Sequence, residues 1–178
     1  MVNMEEKPLA VIRLEEDIYM CGFLGSFLSS ERSWHPDEIA GFRAAFQRLA
    51  HRGNTSHGER TDLPGAALFH HRLAFRDLKE GKQPLTDSRG RATILYNGEL
   101  YGFRKLREEL APRFEFRTQS DTEVILGAYL EFGEKFHERL DGEYAFVILD
   151  HRDGSVVAGR DPFGVKPLDR KSTRLNSS

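Results

Sequence analysis

The sequence holds a single cysteine among its 178 residues. That scarcity excludes an internal disulfide and any multi-thiolate zinc or iron–sulfur centre, and it suits a reducing compartment, so a cytoplasmic location is expected. There is no surplus of positive charge either: 26 basic residues stand against 28 acidic ones, a net charge of −2. The electrostatic footprint of a nucleic-acid or anionic-membrane binder is therefore missing. No apolar run approaches the roughly 20 residues that a membrane span needs. Glu5, Glu6, Lys7, Arg13, Glu15, Glu16 and Asp17 break up the first 19 residues, which excludes a signal peptide. Repeats and low-complexity stretches are lacking within the core of the chain. Metal-ligand spacing is lacking as well: His70 and His71 are adjacent, have no cysteine or carboxylate at ligand distance along the chain, and would point to opposite faces of a strand.

The length suits one well-buried domain. Both ends read as foreign to it. Residues 1–20 carry neither turn chemistry nor periodicity and are expected to be a misplaced start or a propeptide, with initiation at Met20 the favoured explanation. Residues 169–178 turn abruptly polar and read as a non-native tail. The domain is then 21–168. Within it, Cys21 to Leu28 is a short apolar run suited to a buried strand. Pro36, Asp37 and Glu38 open a helix whose Ile39, Phe42, Phe46 and Leu49 recur at helical spacing. Strands are expected at Ala66–Phe69, Ala92–Tyr96 and Tyr144–Leu149, with a hairpin turn at Asp153-Gly154 leading into Ser155–Ala158. A short helix is expected over Phe103–Leu110. Ser120 and Glu123 form an S-x-x-E capping box for a second strong helix beginning at Asp121. The fold class is α+β with several antiparallel strands.

A lone cysteine in an apolar setting is usually a packing residue. Position changes the odds for Cys21, because it directly follows Met20. Once exposed as the first residue it would carry a thiol and an α-amino group of pKa about 7.7–8.0, so nucleophile and base would share one residue. Arg72 could hold a carboxylate bidentately or serve in a structural ion pair. Asn97-Gly98 reads either as a hairpin turn or as a side-chain amide and a backbone N–H aimed at one oxyanion. Asp121 reads either as a first-turn helix acid or as a site for a substrate ammonium.

Seven strings occur in order: Met20-Cys21-Gly22-Phe23, His51-Arg52-Gly53, His71-Arg72-Leu73-Ala74, Tyr96-Asn97-Gly98-Glu99-Leu100-Tyr101, Ser120-Asp121-Thr122-Glu123, Leu140-Asp141-Gly142-Glu143-Tyr144-Ala145-Phe146, and Gly159-Arg160-Asp161-Pro162-Phe163-Gly164-Val165-Lys166-Pro167-Leu168. Together they resemble a class II glutamine amidotransferase domain, and within that class the glutamine-hydrolysing asparagine synthetases. The resemblance covers residues 21–168. It implies an N-terminal-nucleophile hydrolase fold, a four-layer αββα sandwich with two antiparallel sheets. It also implies hydrolysis of L-glutamine to glutamate and ammonia through a thioester on Cys21, with Asn97 and Gly98 as the oxyanion hole. Arg72 would grip the substrate α-carboxylate, Glu99 and Asp121 the α-ammonium, and Leu73, Ala74, Phe75 and Arg76 would line the pocket. No cofactor or metal is expected in this chain. ATP and magnesium are implied for a C-terminal synthetase domain that would receive the ammonia, whose Ser-Gly-Gly pyrophosphate loop does not occur in these residues. The chain departs from the family pattern at Asn54 and at Gly102, where an asparagine is usual. Two rival readings remain. A generic N-terminal-nucleophile acylase would need Cys21 and Asn97 but not Arg72 with Asp121, and an inactive fragment would result if residues 1–20 stay attached.

Overall fold

The computed structural model describes residues 9–11, 21–28, 32–53, 56–72 and 81–173. It is α+β, with nine strands in two antiparallel sheets and three α-helices among those residues. Five strands form the first sheet: β1 (Leu9–Val11), β2 (Gly22–Phe27), β3 (Ser56–Arg60), β4 (Ala66–Arg72) and β9 (Lys171–Thr173), in the spatial order β3-β4-β2-β1-β9. The second sheet runs β5 (Leu85–Thr86), β6 (Ala92–Leu100), β7 (Gly142–Asp150) and β8 (Val156–Arg160), in that order. The helices are α1 (Pro36–Gln47), α2 (Phe103–Leu110) and α3 (Asp121–Phe132).

Side-chain alternation along the strands assigns each face a partner. In β2 and β4, Leu24, Ala67 and Phe69 turn toward α1 and pack with Trp34, Ile39, Phe46 and Leu49. The alternate residues Phe23, Phe27, Ala66 and Leu68 meet Leu95, Ala145, Val147 and Leu149 of β6 and β7, so the two sheets pack face to face. The outer face of the second sheet supplies Ile94, Tyr96, Tyr144, Phe146 and Ile148, against which α3 lays Val124, Ile125 and Ala128. Residues Tyr144 to Leu149 of β7 are apolar throughout because both faces of the strand are covered there, as the sequence anticipates.

Local chemistry explains the helix starts. His35 caps α1: its Nδ1 accepts from the Asp37 N–H at 3.3 Å while Glu38 returns to the His35 N–H at 2.8 Å. That reciprocal box is one a histidine conceals from a Ser/Thr pattern search. Ser120 caps α3 as expected, accepting from the Thr122 N–H at 3.2 Å. The second half of its expected box is not formed. Glu123 instead accepts from the backbone N–H groups of Arg117 and Thr118 and from the Thr118 hydroxyl, tying the preceding loop to the helix. Gly102, the departure noted above, caps α2 at φ 62°, a left-handed conformation that glycine and asparagine both tolerate.

Candidate active site

The same alternation brings the candidate residues to one end of the space between the sheets. The β2–β4 register pairs Gly22 with His71, so Cys21, one step earlier, lies opposite Arg72. Cys21 and Arg72 share the parity of Phe23 and Leu68 and therefore face the second sheet. Asn97 shares the parity of Leu95 and faces back toward the first. Its side chain is buried, at 3% exposure, and its Nδ2 has no hydrogen-bond partner among the described residues. A buried amide N–H without a partner is costly, of order 1–3 kcal/mol, unless a ligand or water supplies one.

Asn97 and Gly98 do not form the turn that their dipeptide suggests. Strand β6 runs through them to Leu100, paired with β7 residue by residue. The close approach of the two strands is what demands glycine: a Cβ on Gly98, at φ 155°, would land inside contact distance of the Glu143 carbonyl oxygen and 2.7 Å from the Tyr144 Cα. Backbone groups in an antiparallel ladder alternate between facing the partner and facing away. Tyr144, opposite Gly98, turns both its N–H and its carbonyl to Asp161 on the far side. Gly98 therefore sits in a non-hydrogen-bonded pair, and its N–H points out of the open edge of β6, beyond Leu85, the first residue of two-residue β5. Its neighbours on that edge are tied down by side chains. The Tyr96 N–H donates to Gln83 Oε1 at 2.6 Å, and the Leu100 N–H donates to Asp121 Oδ2 at 3.1 Å. The Gly98 N–H lies between them.

Asp121, in the first turn of α3, thus reaches that edge. Its Oδ2 also accepts from the Tyr96 hydroxyl at 3.0 Å and its Oδ1 from the Thr122 N–H at 2.9 Å. Burial pushes its carboxyl up from the usual carboxylate range, against the pull of these donors. Tyr96 is held well above an ordinary phenol, first by burial and then by the Asp121 charge, with Glu99 and Cys21 near enough to add to the effect. Arg72 comes to the same place from the other sheet. A Cβ built on Gly81 would lie 3.3 Å from both Arg72 Nη2 and Ser120 Oγ, so the guanidinium stands beside the α3 cap. Cys21, Arg72, Asn97, Gly98, Glu99 and Asp121 are therefore gathered at one end, with Glu99 exposed. Leu73, Ala74, Phe75 and Arg76 lie outside the described residues.

Sequence reasoning passed over two residues that hold this edge. His70, 1% exposed, crosses between the sheets and places Nε2 3.1 Å from the Tyr96 carbonyl oxygen. Gln83 takes the Tyr96 N–H and extends its own amide toward Thr122 Oγ1 at 3.4 Å. The adjacent His71 turns the other way and stacks on Phe46 at 3.9 Å, so the two histidines share no site. A polar residue inside an apolar strand, as in Leu68-Phe69-His70, was the available signal for His70. Gln83, in a turn-like Gly81-Lys82-Gln83-Pro84 stretch, offered none.

The family model for the glutamine amidotransferase domain matches residues 20–176, and the chain belongs to that family. Among curated proteins it is similar to asparagine synthetase [glutamine-hydrolyzing] 1 of Bacillus subtilis (strain 168), at 38% identity over 150 residues, 84% of this chain and 24% of that protein. It is 44% identical over 122 residues to asparagine synthetase [glutamine-hydrolyzing] 3 of Arabidopsis thaliana, covering 68% of this chain and 21% of the relative. A probable asparagine synthetase [glutamine-hydrolyzing] of Dictyostelium discoideum is 38% identical over 153 residues, 84% of this chain and 27% of its own. The chain spans about a quarter of the length of the curated relatives it matches. Among the described residues no helix is long and apolar enough to cross a membrane.

Proposed function

We propose that this chain hydrolyses L-glutamine to glutamate and ammonia as the glutaminase part of an asparagine-synthetase-type enzyme. The observation that carries the reading is the buried Asn97 Nδ2, without a partner among the described residues and facing the strand that Cys21 precedes. The Gly98 N–H beside it supplies a second donor. Two neighbouring preorganised donors suit the oxyanion that forms when a nucleophile attacks a carboxamide.

In this mechanism Cys21 acts with its α-amine free, which requires residues 1–20 to be detached; the family match, starting at residue 20, supports that start. The amine takes the thiol proton, and the sulfur attacks the side-chain carbonyl carbon of glutamine. Asn97 Nδ2 and the Gly98 N–H hold the resulting oxyanion. Its collapse expels ammonia, which carries away the proton that the amine returns, and leaves a thioester. Water, deprotonated by the same amine, hydrolyses the thioester to glutamate. Arg72 holds the α-carboxylate, while Asp121 and Glu99 hold the α-ammonium. Opposite charges placed at the two ends of an amino-acid head favour glutamine over an N-acyl substrate that lacks one.

The architecture is proposed to be the four-layer αββα sandwich of N-terminal-nucleophile hydrolases, supported by the three successive hydrophobic clusters. The ammonia is proposed to pass to a synthetase domain that uses ATP and magnesium, as the names and lengths of the relatives suggest. The setting is proposed to be the cytoplasm. Cys21→Ala tests the core of the proposal: the fold should persist by circular dichroism, and glutamine-dependent ammonia release should disappear. Retained activity would overturn the mechanism.

A further inference from the structure

Tyr96 is held from three sides beside this site, by Gln83, His70 and Asp121. Its backbone N–H and carbonyl are held by Gln83 and His70, and its phenol points the opposite way from Asn97, into the α3 layer. There the hydroxyl donates to Asp121 Oδ2 at 3.0 Å. Asp121 faces a difficult environment: burial opposes its charge, and the donors around it offset that only in part; Glu99 and Cys21 act on the neighbouring Tyr96 phenol, and the Arg72 guanidinium stands beside Ser120. Four donors fix the carboxylate: the phenol, the Leu100 N–H, the Thr122 N–H and, at a longer 3.5 Å, the Ser120 hydroxyl. The two backbone donors come with the fold. Of the two donors supplied by choice of side chain, the phenol is the closer, at 3.0 Å against 3.5 Å for Ser120.

We propose that Tyr96 is a positioning residue for substrate selection: its buried hydroxyl holds Asp121 ionised and oriented, and so gives the site its preference for substrates that carry an α-ammonium. This rests on the assignment of Asp121 to the α-ammonium made above. A phenol suits the task better than a charged donor would. Burial and the Asp121 charge keep it protonated well above neutrality, so it remains a donor across the working range and adds no charge of its own to repel an ammonium. A hydrogen bond to an ionised group is stronger than a neutral one, and its loss is felt through the carboxylate that accepted it.

The test compares the wild-type chain with Tyr96→Phe and Asp121→Asn on two substrates, L-glutamine and 4-carbamoylbutyrate, the same amide without the α-amino group. Tyr96→Phe keeps the ring in its cluster and removes only the hydroxyl. It should raise the KM for glutamine about tenfold with kcat within about twofold, and leave 4-carbamoylbutyrate kinetics unchanged. It should also move the acid limb of the glutamine kcat/KM profile to higher pH, because Asp121 loses a donor to its charged form. His70, pushed down to about 4 by burial, adds an acid limb of its own, and the 4-carbamoylbutyrate profile, which contains the His70 limb but not that of Asp121, separates the two. If Tyr96→Phe slows both substrates equally, or neither, while Asp121→Asn removes the preference for glutamine, Tyr96 is only a core residue and the proposal falls alone. If Asp121→Asn leaves that preference intact, the ammonium assignment itself is wrong and Tyr96 falls with it.

Discussion

Acid should loosen this fold through His70, and the size of the effect follows from where the ring sits. His70 is buried between the sheets with Nε2 3.1 Å from the Tyr96 carbonyl oxygen. A carbonyl only accepts, so Nε2 carries the hydrogen. Burial opposes a second proton and pushes the ring down to about 4, with Arg72 and His71 adding to the effect and the Tyr96 hydrogen bond opposing it. In the unfolded chain the same histidine titrates near 6.5. Between those values the unfolded state binds more protons than the folded one, so stability is complete above pH 6.5 and is lost as pH falls toward 4. The gap is worth about 3 kcal/mol in all, and about 2 kcal/mol of it is gone by pH 5. Small domains have only about 5–15 kcal/mol of net stability to lose.

Other groups titrate nearby, so the measurement must be a difference. His71 and His151 are also held low by burial and contribute the same sign, while Asp121, held high, contributes the opposite one. Urea unfolding of the wild type and of His70→Gln at pH 7 and pH 5 isolates His70, because glutamine can donate to the Tyr96 carbonyl but does not titrate. The stability difference between the two proteins should swing by about 2 kcal/mol in favour of the variant on going to pH 5. A difference that stays constant within about 0.5 kcal/mol refutes the buried, neutral assignment.

Asn97→Ala should lower kcat for glutamine roughly 10²- to 10³-fold with little change in KM, read as steady-state ammonia release; an unchanged kcat removes Asn97 from the oxyanion hole. Gly98→Ala drives a methyl group into the Glu143 carbonyl and should cost at least about 2 kcal/mol, read as a lowered Tm by circular dichroism. A Tm equal to the wild type would mean that β6 and β7 are not as close as the register implies.

The elements with strong local signals were legible in the sequence. Helix α2 spans Phe103–Leu110 as expected, α1 and α3 begin at Pro36 and Asp121, and β7 was recognisable from Tyr144–Leu149, an apolar run covered on both faces. Strand β3, Ser56–Arg60, was not: its sequence Ser-His-Gly-Glu-Arg alternates partly buried and exposed polar residues, and pairing with β4 alone makes it a strand. Two-residue β5 was lost in a polar loop for the same reason. Strands β1 and β9 fall in the two ends read as foreign, where they pair with each other, and β1 also pairs with β2 at Ser26 and Phe27. In the site, Arg72, Asn97 and Asp121 could be named because each side chain has a recognisable chemistry. The buried supports, His70 and Gln83, act through contacts between distant segments, which no local pattern records.

Asn97-Gly98 shows how the larger structure decides between two local meanings. The dipeptide is a strong hairpin signal, and a turn there would have ended β6 at Tyr96 and directed both groups to solvent. The outcome is reversed because β7 continues as far as Gly142, and glycine at both Gly98 and Gly142 lets the strands approach where a Cβ on either would collide with the opposite backbone. With the ladder extended, alternation turns the Gly98 N–H away from β7. The other condition is that β5 stops short. Four more residues in that strand, ahead of Leu85, would run alongside Tyr96 and Gly98 and occupy their outward groups, as an ordinary sheet neighbour does. Instead Gln83, His70 and Asp121 occupy the positions on either side and leave the glycine N–H between them. An open strand edge is normally a hazard that folds cover or shorten. Here side chains take up the Tyr96 N–H and carbonyl and the Leu100 N–H, and the Gly98 N–H between them adjoins the buried amide of Asn97.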